Sequence, residues 1–155
     1  MRACVLGLGL VVLAGPVAAA CSPDVLDIRG PFGQARFSVE LADSPDERSR
    51  GLMFRETMPS ASGMLFIYPR PQHANFWMKN TLIPLDMVFA DGAGRVTRVH
   101  SNAKPQDLTP IDGGDGVVVV LEINGGLAAR LGIAPGAELR HPALTAANLA
   151  WPCTQ

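Results

Sequence analysis

Residues 76–86 place Trp77 beside Lys79, Asn80 and Asp86 among apolar side chains, Met78, Leu82, Ile83 and Leu85, that favour burial. A lysine, asparagine or aspartate in such company either faces water or finds a partner, because an unpaired buried polar group costs roughly 1–3 kcal/mol. Glu122 raises the same question as a lone acid inside the apolar run 117–123. If Arg50 and Arg55 join them, three cations face the carboxylates of Asp86 and Glu122 with Trp77 as an aromatic wall. That set is net positive and suits a small anion or a sugar acid, since guanidinium forks match carboxylate and phosphate. The competing arrangement is structural: Arg50 or Arg55 pairs with Glu122, and Lys79 with Asp86, to fix the fold.

Other chemistries are less well provided for. Met53, Met58, Met64, Met78 and Met87 offer thioethers of the kind that select Cu(I), but without a compact Met-x-x-Met array they read as core filler. His73, His100 and His141 lie far apart with no zinc-ligand spacing, and the 112–116 stretch reads as a glycine-rich turn rather than a calcium loop. No Gly-x-Ser-x-Gly is present. Asp86 and Glu122 could act as a carboxylate pair on a glycan only if they stood roughly 5–10 Å apart. The residues favour a non-enzymatic binding or accessory domain without metal or cofactor. A cell-envelope carbohydrate hydrolase, or a structural or interaction module without a small ligand, are the alternatives.

The first twenty residues read as a secretory signal peptide: Arg2 is their only charge, an apolar run follows, and Ala18, Ala19 and Ala20 precede Cys21. Residues 21–155 then form one β-rich domain, exported to a periplasm or secreted. No later apolar stretch approaches the roughly 20 residues of a membrane span. Cys21 and Cys153 are the cysteines left after cleavage and are expected to pair in an oxidising compartment. The rival is lipidation of Cys21, which Ala18 disfavours, since lipoprotein signals usually carry leucine three residues before the cysteine. The formal charge of −1 and the lack of any basic stripe argue against nucleic acid as a partner.

Positioning these residues falls to many short strands. Phe37, Val39 and Leu41 alternate with polar residues, the period of a sheet with one wet face. Ser44, Pro45 and Glu47 spell a capping box for a short helix ended by Gly51. A strand is expected over 63–68, closed by Pro69 and Pro71, and the 76–86 stretch supplies one or two more, split at Pro84. Residues 85–90 and 95–100 make a hairpin around a glycine-bearing loop, and 101–116 a long loop. The run 117–123 is the central strand, a second short helix ends at Gly132, and 136–141 closes the sheet. In this reading Trp77 is buried beside the polar cluster. The whole predicts a β-sandwich or jelly-roll-like barrel with two short helices.

Arg50-Gly51-Leu52-Met53-Phe54-Arg55, Gly63-Met64-Leu65-Phe66, Phe76-Trp77-Met78-Lys79-Asn80-Thr81 with Pro84-Leu85-Asp86, Leu121-Glu122-Ile123-Asn124-Gly125-Gly126 and Arg130-Leu131-Gly132 together resemble the family known as domain of unknown function 192, over roughly residues 39–140. The resemblance implies a compact β-sandwich or jelly-roll-like domain with short helices, common among exported proteins. It implies no established activity and assigns no catalytic residue.

Overall fold

The computed structural model describes residues 21–153; the expected signal segment, 1–20, lies outside them. Among the described residues are the strands β1 (Val25–Gly30), β2 (Gly33–Ala42), β3 (Ser62–Phe76), β4 (Leu85–Ala90), β5 (Val96–Ala103), β6 (Ile111–Asn124) and β7 (Glu138–Arg140), with helices α1 (Pro45–Arg50) and α2 (Leu127–Leu131). The strands form one sheet in the order β5-β4-β6-β3-β2-β1-β7. Neighbours are antiparallel except β2 and β3, which run parallel and are linked through α1. The two edges approach each other: Arg95 bridges to Glu138, the Val96 N–H donates to the Ala137 carbonyl at 2.8 Å, and the Leu139 N–H to that of Gly94 at 2.8 Å. The sheet therefore curls toward a barrel, the mainly β architecture with two short helices that the sequence predicts.

The curl creates two unequal cores. Leu26, Ile28, Phe37, Val39, Leu65, Val88, Val96, Val119, Leu121, Ile123 and Leu139 draw on all seven strands and fill the concave side, where Ala128 of α2 joins them. Met64, Phe66, Met87, Phe89, Val117 and Val120 face the convex side, covered by Leu52, Met78 and Ile83 from the connecting segments. β4 and β6 are thus apolar on both faces, which is why the 117–123 run lacks the alternation of a half-wet strand. Gly63 answers to this packing, since a Cβ there would stand 2.4 Å from the Glu122 carbonyl oxygen.

The α1 capping box is present, the Ser44 hydroxyl accepting from the Glu47 N–H while the Glu47 carboxylate accepts from the Ser44 N–H. The β4–β5 hairpin is also as expected. Three expectations need correction. β3 does not stop at the prolines: it runs to Phe76, and a shift in its register with β6 between Ile67 and Gln72 carries Pro69 and Pro71 past positions where a ladder N–H would be needed. The predicted loop 101–116 shrinks to 104–110, as β5 and β6 each extend into it. Residues 77–84 are not a strand: Asn80 takes a left-handed conformation (φ 55°) in a turn where the Thr81 N–H donates to the Met78 carbonyl.

Candidate functional site

Three connecting segments meet over the convex core and are stitched by main-chain bonds. The Phe54 N–H donates to the Asn80 carbonyl at 2.8 Å, the Gln106 N–H to Thr81 at 3.1 Å, and the Met78 N–H to Asp107 at 2.9 Å. Among the described residues the non-glycine positions with positive φ are Phe54 (65°), Asn80 (55°) and Gln106 (60°), which take part in these bonds, and Asn102 (55°) at the end of β5. Such conformations cost about 1–3 kcal/mol each and persist where the surroundings over-determine them, as they do at binding sites. Asparagine tolerates the left-handed region; Phe54 does not, yet its ring is 64% exposed and so gains little from packing.

Asp86 holds the junction from below. Its Oδ1 accepts from the Asn102 N–H at 2.6 Å and the Gly126 N–H at 2.7 Å, and its Oδ2 from the Ala128 N–H at 2.7 Å. The carboxylate thereby ties β4 to the end of β5 and to the first turn of α2. Gly125 belongs to the same knot, for a Cβ there would lie 2.7 Å from the Asn102 Oδ1. The expected Lys79–Asp86 pair is overturned: Asp86 is fully buried on main-chain donors, while the Lys79 Nζ lies 5.0 Å above the Trp77 ring.

Glu122 is placed differently again. It pairs across the ladders with Met64 on β3 and Met87 on β4, so it shares their convex face, whereas Asp86 pairs with Ile123 and shares the concave one. The two acids therefore do not converge as a carboxylate pair. Neither arginine reaches Glu122: the Arg55 guanidinium binds Glu40 through both ends of its fork, holding the Glu40 carboxyl below its ordinary range, and Arg50 is exposed. Among the described residues the Glu122 carboxyl has no hydrogen-bond or ion-pair partner although it is only 5% exposed, and burial pushes its pKa up to about 8. Burial also raises the nearby Tyr68 phenol, with Glu122 adding to the rise, and the Arg48 guanidinium sits 5.2 Å over the Tyr68 ring.

The expected constellation is thus divided. Arg50 and Arg55 line a cleft with Glu40, Met53, Phe54 and Met64. Trp77, expected in the core, is 50% exposed and forms a groove with Asn75, Phe76, Leu108 and Pro110. Asn80 joins the two places, its carbonyl bonded to Phe54 and its Nδ2 lying 3.9 Å from the Met53 Sδ. Sequence reasoning missed Phe54, Leu108 and Gln106. The adjacent prolines 105 and 110 were the available signal that Leu108 stands on a constrained loop, while nothing local marks Phe54 as left-handed.

A disulfide joins Cys21 and Cys153 across 132 residues, as expected. Two residues before Cys153, the Trp151 ring carries the guanidinium groups of Arg29 at 4.5 Å and Arg140 at 4.3 Å from its centroid, and Arg140 with Arg36 binds Asp27. No helix among the described residues is long and apolar enough to cross a membrane.

A comparison with curated proteins returned no match. Similar solved structures include two that cover most of this chain. One, a protein of unknown function from Novosphingobium aromaticivorans DSM 12444, is 41% identical with a TM-score of 0.73, over 84% of this chain and 98% of its own. The other, from Sinorhizobium meliloti 1021 and provisionally named a transcription regulator, is 36% identical with a TM-score of 0.73, over 79% of this chain and 96% of its own. The model of family DUF192, described as "Uncharacterized ACR", matches residues 28–141, most of the chain, and the chain belongs to that family.

Proposed function

We propose that this chain is an exported, non-enzymatic binding domain that takes an acidic carbohydrate in the groove beside Trp77. The observation that carries the reading is the half-exposed indole, fixed on a loop whose main chain is bonded to two neighbouring segments, with Lys79 at its ring. A rigid, amphipathic aromatic surface suits the apolar face of a sugar ring. Lys79 is exposed and has no carboxylate partner among the described residues, so its ammonium is available to a uronic-acid carboxylate. Asn75, exposed at the rim, offers donors and an acceptor to sugar hydroxyls.

Export is supported by the signal-like segment 1–20 and by the Cys21–Cys153 disulfide, a bond that persists in oxidising compartments. A Cys21 sulfur engaged in that bond is not free to carry lipid. The name of the Sinorhizobium protein points to DNA, but here Arg29, Arg36, Arg95 and Arg140 are paired with Asp27 and Glu138. The net charge of −1 likewise favours a ligand other than nucleic acid.

Isothermal titration calorimetry of residues 21–155 with oligogalacturonate, and with a neutral oligosaccharide of the same length, tests the reading. Binding should be lost in Trp77→Ala, and in Lys79→Ala the preference for the acidic ligand should disappear. Absence of heat with either glycan, or unchanged binding by Trp77→Ala, contradicts it.

A further inference from the structure

The methionines that read as core filler along the chain take on a different sense around Glu122. On the convex face, Met64 of β3 and Met87 of β4 stand on either side of Glu122 in the register of three adjacent strands. Directly paired side chains on one face of a sheet lie within reach of one another, their Cβ atoms about 4.5–5.5 Å apart. Met53 lines the same cleft as Met64, and Met78 shares their core cluster. Glu122 as a residue is only 5% exposed, and its carboxyl has no hydrogen-bond or ion-pair partner among the described residues.

From this juxtaposition we infer that Glu122, Met64 and Met87 form a binding site for one soft monovalent cation, Cu(I) in chemical class, entered through the Arg50–Met53–Met64 cleft. Thioethers are soft ligands and select Cu(I) over the divalent ions that carboxylates and imidazoles prefer. The side chains that the register sets beside the Glu122 carboxyl are the thioethers of Met64 and Met87. An unpartnered buried acid is costly to ionise, and a bound cation supplies the charge that no arginine provides. The cation replaces the carboxyl proton: Glu122–COOH and M⁺ give Glu122–COO⁻–M⁺ and H⁺, with no change of oxidation state. The other ionisable groups nearby are Tyr68 on β3, Arg48 of α1 over its ring, and the Arg55–Glu40 pair and Arg50 at the cleft. The site is separate from the Trp77 groove and does not depend on that reading.

Ag(I) is a redox-inert probe of such a site and requires no reductant that would open the Cys21–Cys153 disulfide. The test is a titration of residues 21–155 with silver nitrate at pH 6.5, following melting temperature, heat and proton release. The expected result is one ion bound per chain with release of about one proton, as metal binding to a protonated ligand requires. Glu122→Gln should abolish proton release and weaken binding by at least about 100-fold, the upper end of the loss seen when even supporting contacts of a metal site are removed. Met64→Leu and Met87→Leu nearly conserve volume, so each should fold and bind more weakly. The inference is overturned if the wild type binds no Ag(I), if Glu122→Gln binds it as tightly, or if a Met64→Leu/Met87→Leu double variant with an unchanged melting temperature retains full affinity.

Discussion

Asp86 and Glu122 lie on neighbouring strands only one register step apart, yet they face opposite sides of the sheet. Their environments are correspondingly opposed. Asp86 is saturated by three main-chain N–H donors, and Glu122 has no bonded partner among the described residues. One acid is part of the scaffold and the other is held in reserve by it.

Glu122 makes neutral pH costly for the fold. Its folded pKa of about 8 lies above the ordinary 4.5, so the folded state binds the extra proton. The stabilising contribution is fully present below pH 4.5 and is lost as pH rises toward 8. Glu122→Gln cannot ionise and should be more stable than wild type at pH 7 by up to roughly 3 kcal/mol, with the difference shrinking toward pH 4.5. Urea unfolding at pH 5, 6, 7 and 8 measures it. A variant less stable than wild type at pH 7 would mean that the acid has a partner after all.

Asp86→Ala should be among the most damaging substitutions. It strands the N–H groups of Asn102, Gly126 and Ala128, each worth about 1–3 kcal/mol when buried and unbonded. A loss of at least about 3 kcal/mol is expected, with amide exchange accelerated first in α2. Asp86→Asn, which keeps one acceptor oxygen, should fall between the two.

Much of this was legible from the residue order. Ser44, Pro45 and Glu47 carried their helix cap locally, and glycines at 92 and 94 announced the β4–β5 hairpin. The end cysteines declared their pairing by being alone. The site was harder because its members are joined by topology rather than by neighbours. In an uninterrupted apolar run such as 117–123, nothing reveals which face Glu122 takes, and only the register with Met64 and Met87 decides it. The partner of Arg55 proved to be Glu40, an acid that β2 presents on its exposed side and that an argument from burial overlooks. Trp77 was misplaced because apolar neighbours imply burial, whereas the left-handed turn at Asn80 lifts the loop out of strand periodicity.

Trp77→Ala should therefore be mild for the fold. With half its surface already in water and a cation–π contact worth about 0.5–1 kcal/mol, its removal should cost no more than about 1–2 kcal/mol. Guanidinium unfolding checks this, and a loss above about 3 kcal/mol would return Trp77 to the core.

His141 gives the opposite pH dependence to Glu122. It is 2% exposed, with its Nδ1 accepting from the Ala143 N–H at 3.1 Å, which leaves the proton on Nε2 to be donated to the Pro23 carbonyl at 2.8 Å. Burial lowers its pKa below 6.5, so its contribution is fully present above 6.5 and is lost as pH falls through the folded value. In urea melts between pH 7.5 and 5, His141→Asn should lose less stability on acidification than wild type. An equal acid response in both would show that His141 does not titrate with unfolding.

Amide chemical shifts of isotope-labelled residues 21–155, followed during titration with oligogalacturonate, test whether the Trp77 groove holds a carbohydrate. The prediction is saturable change confined to residues 75–82 and 106–110, together with the Trp77 indole N–H, while the Trp151 indole stays fixed. No saturable change, or change centred on the Arg50–Arg55 cleft instead, would contradict it.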